Sequence, residues 1–273
     1  MAQTVFNRIE KKFLLNEEQY ELMRKELAPF MDVDEYGEHT IRNVYYDTDN
    51  DELVRTSIEK PEYKEKFRIR CYGQPGGNSN IFLEIKKKYD GVVNKRRIVM
   101  TQEEALAYLR DGIHPEAKKA KHAQIFREVD YVLSRYHLVP KMYLAYDRIA
   151  LFGKEDAEFR ITFDRNIRCR TTDLTLDRDT NTTMLLEDGY RIMEVKITNA
   201  MPLWFVDILS RNNIRTTSFS KYGNCYKRNL VEGVYDYADT TLERSFGLPE
   251  EQSATITVLP KEILMPTPAP IAI

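Results

Sequence analysis

Five stretches carry a charged or polar residue at every second position with mostly apolar residues between, Lys11 and Lys87 excepted. They are Phe67-Arg68-Ile69-Arg70-Cys71, Leu83-Glu84-Ile85-Lys86 running on to Lys88, Phe159-Arg160-Ile161-Thr162-Phe163-Asp164, Met193-Glu194-Val195-Lys196-Ile197 and Ile9-Glu10-Lys11-Lys12-Phe13. Side chains of a strand alternate faces, so each stretch gathers its charges on one face. Tyr146 and Arg148 follow less cleanly, because Asp147 lies on the opposite face. Asp90-Gly91 is a two-residue hairpin signal. The register it sets puts Tyr89 opposite Val92, Lys86 opposite Lys95 and Glu84 opposite Arg97. A one-residue slip would bring Arg96 to that face in place of both Lys95 and Arg97.

In this register the charged face holds ten basic residues: Lys12, Arg68, Arg70, Lys86, Lys88, Lys95, Arg97, Arg148, Arg160 and Lys196. Four acids share it: Glu10, Glu84, Asp164 and Glu194. Like charges facing each other, such as Lys86 and Lys95, destabilise a sheet. A merely solvated face is a poor explanation for that surplus, and a bound polyanion is a better one. Arginine forks and lysine point charges grip successive phosphates. A few carboxylates, helped by the phosphates, hold a divalent metal.

Charge along the chain is segregated too. Residues 17–59 carry 4 basic and 13 acidic side chains, and residues 64–98 carry 10 basic and 3 acidic. The whole chain of 273 residues has 41 basic and 43 acidic residues, which excludes a globally basic nucleic-acid binder but not a local anion site. The three cysteines, Cys71, Cys169 and Cys225, have neither metal-ligand nor disulfide spacing and point to a reducing compartment. No apolar run approaches the ~18 residues of a membrane span. Residues 1–8 lack the apolar core of a signal peptide. The expectation is a soluble, cytoplasmic protein.

The elements that must position these charges are readable in outline. Strands are expected at Val5–Leu15, Thr40–Asp47, Tyr63–Tyr72, Ile81–Tyr89, Val92–Met100, Met142–Leu151, Glu158–Arg170, Met184–Glu187 and Tyr190–Thr198, the last two joined at Asp188-Gly189. Asn16 with Gln19, and Thr101 with Glu104, open helices. Further helices are expected over Asp49–Glu59, Pro115–Tyr136 and Pro202–Asn213, and Phe219–Leu230 is mixed, ending helical. Strands outnumber helices and hairpins join many of them, which predicts an α+β fold: an antiparallel sheet or barrel with helices packed outside. Apolar faces turned to those helices would send the charged faces inward, around a basic lumen. One domain over 1–246 is expected, followed by a Pro-rich flexible tail over 247–273. Within the tail, Thr255–Leu259 could dock as an edge strand on this chain or on a protein partner.

These strands resemble the triphosphate tunnel metalloenzymes, the CYTH superfamily, and within it the VTC domain of the polyphosphate-polymerising branch. The resemblance covers about residues 5–232 and rests on nine pieces in order: RIEKKFLL (8–15), NVYYDT (43–48), KFRIRCY (66–72), FLEIKKK (82–88), NKRRIVM (94–100), YLAYDRIAL (143–151), FRITFD (159–164), MEVKI (193–197) and SFSKYGNCY (218–226). It implies an eight-stranded antiparallel β-barrel, the triphosphate tunnel, with basic residues on a triphosphate or polyphosphate and glutamates on Mn²⁺ or Mg²⁺. By resemblance, Arg68, Arg70, Lys86, Arg148, Arg160, Lys196 and Lys221 match phosphate-binding positions. Lys12 matches the first-strand lysine, Glu194 the metal-binding glutamate, and Tyr146 and Ser220 polar residues lining the tunnel. Glu10 is the expected second metal ligand, and Lys88, Lys95 and Arg97 further phosphate contacts.

One departure bears on the chemistry. Many hydrolytic members begin Glu-x-Glu-x-Lys, whereas this chain reads Arg8-x-Glu10-x-Lys12. The VTC branch shares the shortened form, which favours a polymerase. The expected activity is transfer of the γ-phosphoryl group of ATP to inorganic phosphate or polyphosphate. A tunnel triphosphatase and a non-catalytic polyphosphate or nucleotide sensor are the alternatives. RNA binding is disfavoured, because the aromatics do not cluster as in an RNA-recognition sheet. The four histidines are read as surface or cap residues, the cysteines as packed thiols, and Tyr45 and Tyr46 as packing residues.

Overall fold

The computed structural model describes residues 9–230, apart from 76–78, 91, 118–119 and 199. Arg8 and the whole of the tail, Thr255–Leu259 included, lie outside the described residues. Ten strands and six helices follow one another as β1 (Ile9–Leu15), α1 (Glu17–Leu27), β2 (Met31–Val33), β3 (His39–Asp47), α2 (Glu52–Glu59), β4 (Tyr63–Tyr72), β5 (Asn80–Tyr89), β6 (Val92–Thr101), α3 (Gln102–Asp111), α4 (Ala120–Tyr136), β7 (Val139–Gly153), β8 (Arg160–Arg170), β9 (Thr183–Met184), β10 (Arg191–Ile197), α5 (Leu203–Arg211) and α6 (Lys221–Leu230). Both expected capping boxes form, Asn16 with Gln19 on α1 and Thr101 with Glu104 on α3.

Eight strands form one antiparallel path in the order β1-β10-β8-β7-β3-β4-β5-β6, with β2 added on β7 and β9 on β8. The β5–β6 hairpin has the register read from Asp90-Gly91: Tyr89 faces Val92, Lys86 faces Lys95 and Glu84 faces Arg97. Asp90 takes φ +41°, the left-handed region that a tight hairpin turn asks of its first residue. The expected Met184–Glu187 to Tyr190–Thr198 hairpin does not form. The short β9 pairs with Arg168 and Cys169 of β8, and β10 runs between β1 and β8.

Eight strands form the path of a ten-stranded antiparallel sheet, but the expected closure into a hydrogen-bonded eight-stranded barrel is not found, since no ladder joins β1 to β6 among the described residues. The path nevertheless curls. Flat, β1 and β4 would stand five strand spacings apart, roughly 24 Å. Instead the segment after α5 spans the gap. Thr216 bridges to Phe13 of β1, and the Thr217 amide donates to the Lys12 carbonyl at 2.7 Å. Ser220, three residues on, accepts from Lys66 of β4 at 3.2 Å. A side-chain and loop seam thus ties β1 to β4, where only an eighth ladder, β1 to β6, would close the path.

Burial explains the curl. One outer core joins Val44, Ile69, Leu83 and Ile98 to α3 and α4 through Tyr108, Phe126 and Val129. A second joins Phe13, Phe163 and Val195 to Met23 of α1 and Phe205 of α5. The third core corrects the expectation that all helices lie outside. Ile41, Tyr45, Leu144, Tyr146 and Ile192 share the concave face with the charged rows, and Tyr222 and Cys225 of α6 pack on them. Helix α6 therefore sits inside the curl and fills one end of it, leaving the charged rows as a trough.

Candidate functional site

The ladder pairs bring the period-two charges into rows across the trough. On β1, β10, β8 and β7, one row runs Glu10, Lys196 and Arg160, the next Lys12, Glu194 and Thr162, and a third pairs Asp164 with Arg148. On β3 to β6, one row runs Tyr45, Arg68, Glu84 and Arg97, the next Lys66, Lys86 and Lys95, and a third pairs Lys64 with Lys88. Asn43 faces Arg70.

The four carboxylates of these rows are all engaged by cations. Glu84, 1% exposed, takes Arg68 on Oε2 at 2.7 Å and Lys95 on Oε1 at 2.8 Å, with Arg97 sharing Oε1. Burial alone would raise its carboxyl, but Arg68, Arg70 and Lys95 outweigh that and hold it below the usual range. Asp164, fully buried, accepts from Arg148 Nε and Nη2, at 2.6 and 2.7 Å, and from the Lys221 amine at 2.5 Å. Glu194 takes Lys221 at 2.7 Å, Arg148 at 3.3 Å and Lys12 at 3.4 Å. Burial opposes its charge too, and Lys221, Lys12 and Arg148 hold it well below the ordinary value. Glu10 lies 3.5 Å from Lys12. Desolvation and Glu194 raise its carboxyl, while Lys86, Lys12 and Lys196 pull it down. Lys86 stands on β5, so its action on a β1 side chain again reports the curl.

Cations remain in surplus after these pairs. Among the described residues no carboxylate lies within 4 Å of Lys66, Lys86, Lys88 or Lys196. Desolvation, then Lys86, Lys12, Lys64 and Arg68, lower the Lys66 amine to about 7. Desolvation also takes the Lys95 amine to about 7, with Arg68 and Arg97 outweighing part of the relief from Glu84. An anion in the trough would relieve both.

The uncharged residues aim the cations. Arg70, 6% exposed, donates to Asn43 Oδ1 at 2.8 Å and to the Tyr146 hydroxyl at 3.1 Å. Arg68 donates to the Tyr45 hydroxyl at 2.7 Å. The Tyr146 ring lies beneath Arg148 and Lys221. Ser220 accepts from the Gly223 amide at 3.2 Å, capping α6 and setting Lys221 in its first turn. Lys88 lies near the β5–β6 hairpin, and Arg160 begins β8, where its Nε donates to the Ala157 carbonyl at 3.3 Å. All the expected site residues thus line the concave face. Lys66, absent from the expected set, lies among them, and its place two residues before Arg68 was a sufficient signal.

No group of three or more His, Cys, Asp or Glu side chains comes together among the described residues. A metal's protein ligands would be Glu194 and Glu10, which share Lys12. Thr162 Oγ1, directly across from Glu194, is buried with no hydrogen-bond partner among the described residues. Two carboxylates and a hydroxyl are hard oxygen donors. They fit Mg²⁺ or Mn²⁺ provided phosphate and water complete the shell.

Fold and site define an α+β protein whose curled antiparallel sheet presents a polybasic, ion-paired trough. The VTC domain model matches residues 7–229, and the chain belongs to that family. It is 23% identical over 218 residues to vacuolar transporter chaperone complex subunit 4 of Trypanosoma brucei brucei, covering 67% of this chain and 28% of that protein. The subunit 4 protein of Schizosaccharomyces pombe is 27% identical over 145 residues, 46% of this chain and 20% of that one. The chain therefore spans about a quarter of the length of these relatives. Among solved structures, a putative adenylate cyclase from Bacillus halodurans aligns with TM-score 0.49 and 16% identity, over 78% of this chain and 93% of that one. A putative adenylyl cyclase from Hippeastrum, described as having a dominant triphosphatase activity, aligns with TM-score 0.48 and 16% identity, over 79% and 93%. No helix among the described residues is long and apolar enough to cross a membrane.

Proposed function

We propose that this chain transfers the γ-phosphoryl group of ATP to inorganic phosphate or a growing polyphosphate lying in the trough. The observation that carries the reading is the cation surplus that remains once Glu10, Glu84, Asp164 and Glu194 have all been paired. Phosphoryl transfer asks for positioning and charge stabilisation more than for covalent chemistry. Arg68 and Arg70, already aimed by Tyr45, Asn43 and Tyr146, present guanidinium groups to equatorial phosphate oxygens. Lys86, Lys95 and Lys66 hold the neighbouring phosphates, and Arg148, Arg160 and Lys196 act from the opposite wall. Glu194 and Glu10 would hold Mn²⁺ or Mg²⁺, which would supply further charge neutralisation.

The acceptor decides between transfer and hydrolysis. A phosphate acceptor is already anionic near neutral pH and needs no strong base. Water needs a carboxylate to orient it. Glu10, Glu84, Asp164 and Glu194 are each engaged by lysine or arginine, which supports transfer, as does Arg8 in place of an acid. The free, buried cysteines fit a reducing compartment such as the cytoplasm.

The test is incubation of the purified chain with ATP and Mn²⁺, with the phosphate products resolved by chain length. Polyphosphate ladders that disappear in Arg70→Ala are expected. Free phosphate alone would replace this reading with a triphosphatase. A rise in melting temperature on polyphosphate, with no product of either kind, would leave a binding protein.

A further inference from the structure

The carboxylates that would receive a divalent cation are held by the protein's own cations. The Lys12 amine lies 3.5 Å from Glu10 and 3.4 Å from Glu194, in the place between them where a shared metal would sit. Lys221 and Arg148 take the rest of Glu194 and all of the buried Asp164. Lys196, facing Glu10 across the ladder, adds positive charge beside the pair. A bare Mn²⁺ or Mg²⁺ entering here meets more cations than anions, and must displace Lys12 from two partners at once.

We propose that this site binds its divalent cation only when a phosphate chain already occupies the trough, and that Lys12 enforces the order. The inference rests on the phosphate reading above. A phosphate chain reverses the local balance: its oxygens compete for Lys12, which also has the Phe219 carbonyl at 2.7 Å to fall back on. Glu10 and Glu194 are thereby released, and the anion supplies the oxygens that two carboxylates cannot. Thr162 Oγ1, 5% exposed at the residue and without a partner among the described residues, faces Glu194 and offers one more oxygen when the cation arrives. Linkage is reciprocal, so the cation in turn tightens the anion, by about 10-fold or more.

Melting temperature reads this directly, with tripolyphosphate as the probe anion. Mn²⁺ alone is expected to leave the native chain unmoved, tripolyphosphate alone to raise it, and the two together to raise it further. The further rise disappears in Glu194→Gln. In Lys12→Met, Mn²⁺ alone becomes effective. Should that variant fail to fold, the native chain and Glu194→Gln still decide. A rise with Mn²⁺ alone that Glu194→Gln removes overturns the order and leaves the phosphate reading standing. So does tripolyphosphate acting as well without Mn²⁺ as with it. A further rise that persists in Glu194→Gln overturns the assignment of the cation to this carboxylate. If tripolyphosphate raises nothing with or without Mn²⁺, the phosphate reading itself falls, and the order with it.

Discussion

The two walls of the trough solve the problem of like charge differently. On β1, β10, β8 and β7, three carboxylates, Glu10, Glu194 and Asp164, interlock with Lys12, Arg148 and Lys221. On β4, β5 and β6 the single acid Glu84 serves Arg68, Lys95 and Arg97, and Lys66 and Lys86 stand beside them. The first wall is close to balanced within itself, with Lys196 and Arg160 left over. The second is complete only with an anion supplied from outside. In the proposed reaction, the balanced wall would hold the metal, and Arg68 and Arg70 of the unbalanced wall grip the transferring group while its lysines grip the chain.

The largest expected effect removes an aimed cation from the second wall. Arg70→Ala deletes a guanidinium held by Asn43 and Tyr146, and turnover should fall at least ~10²–10³-fold, the loss typical of one preorganised charge donor. Single-turnover transfer from ATP measures it, with melting temperature as the folding control. Turnover near the native rate would remove the assignment of this wall to phosphate. Glu84→Gln tests the same wall through stability. It leaves Arg68, Lys95 and Arg97 without their shared anion, and about 3 kcal/mol should be lost in urea unfolding. Saturating tripolyphosphate should restore much of that loss. The equivalent change on the balanced wall, Asp164→Asn, should gain less from the same anion. Equal rescue of both variants would erase the distinction between the walls.

Much of this contrast was legible in the sequence. Period-two charges inside apolar strands assigned faces, and the two-residue Asp90-Gly91 turn fixed one register, which together located nearly every charged residue of the trough. Lys66 was equally legible from its spacing to Arg68. Asn43, Tyr45 and Thr162 were not, because an uncharged residue on a strand declares no role until its cross-strand neighbour is known. The position of α6 was also hidden. Its amphipathic face, with Tyr222 and Cys225, packs as well on the concave side of a sheet as on the convex one. Only the curl, made by contacts between residues some 200 positions apart, decides which. The β9 pairing failed for a related reason: a turn signal at Asp188-Gly189 says that the chain reverses, not which strand receives it.

Titration gives a smaller, signed difference between the walls. The amines of Lys66 and Lys95 lie near 7, against an ordinary value of 10.5. They carry charge below about pH 7 and lose it as pH rises. Tripolyphosphate binding should therefore strengthen from pH 8 to pH 6 and take up protons, which calorimetry in two buffers of different ionisation enthalpy measures. Without the anion the unfolded chain binds more protons between about 7 and 10.5, so stability should rise with pH across that window. Lys66→Met should remove part of both trends. Binding with no proton uptake at pH 8 would show that these amines do not meet the anion.

The smallest expected effect lies where the walls meet. Tyr146 on β7 accepts from Arg70 of the second wall at 3.1 Å, and its ring underlies Arg148 and Lys221 of the first. Tyr146→Phe keeps the ring and deletes one hydrogen bond. The loss should be about 1 kcal/mol, roughly 5-fold in affinity for tripolyphosphate, with stability nearly unchanged. Tyr146→Leu also removes the π-face beneath Arg148 and Lys221, and should cost more in both affinity and stability. If Phe and Leu behave alike, the hydroxyl's aim on Arg70 is the whole of Tyr146's contribution. If Phe behaves as the native residue and Leu does not, Tyr146 serves the balanced wall alone, and Asn43 by itself orients Arg70.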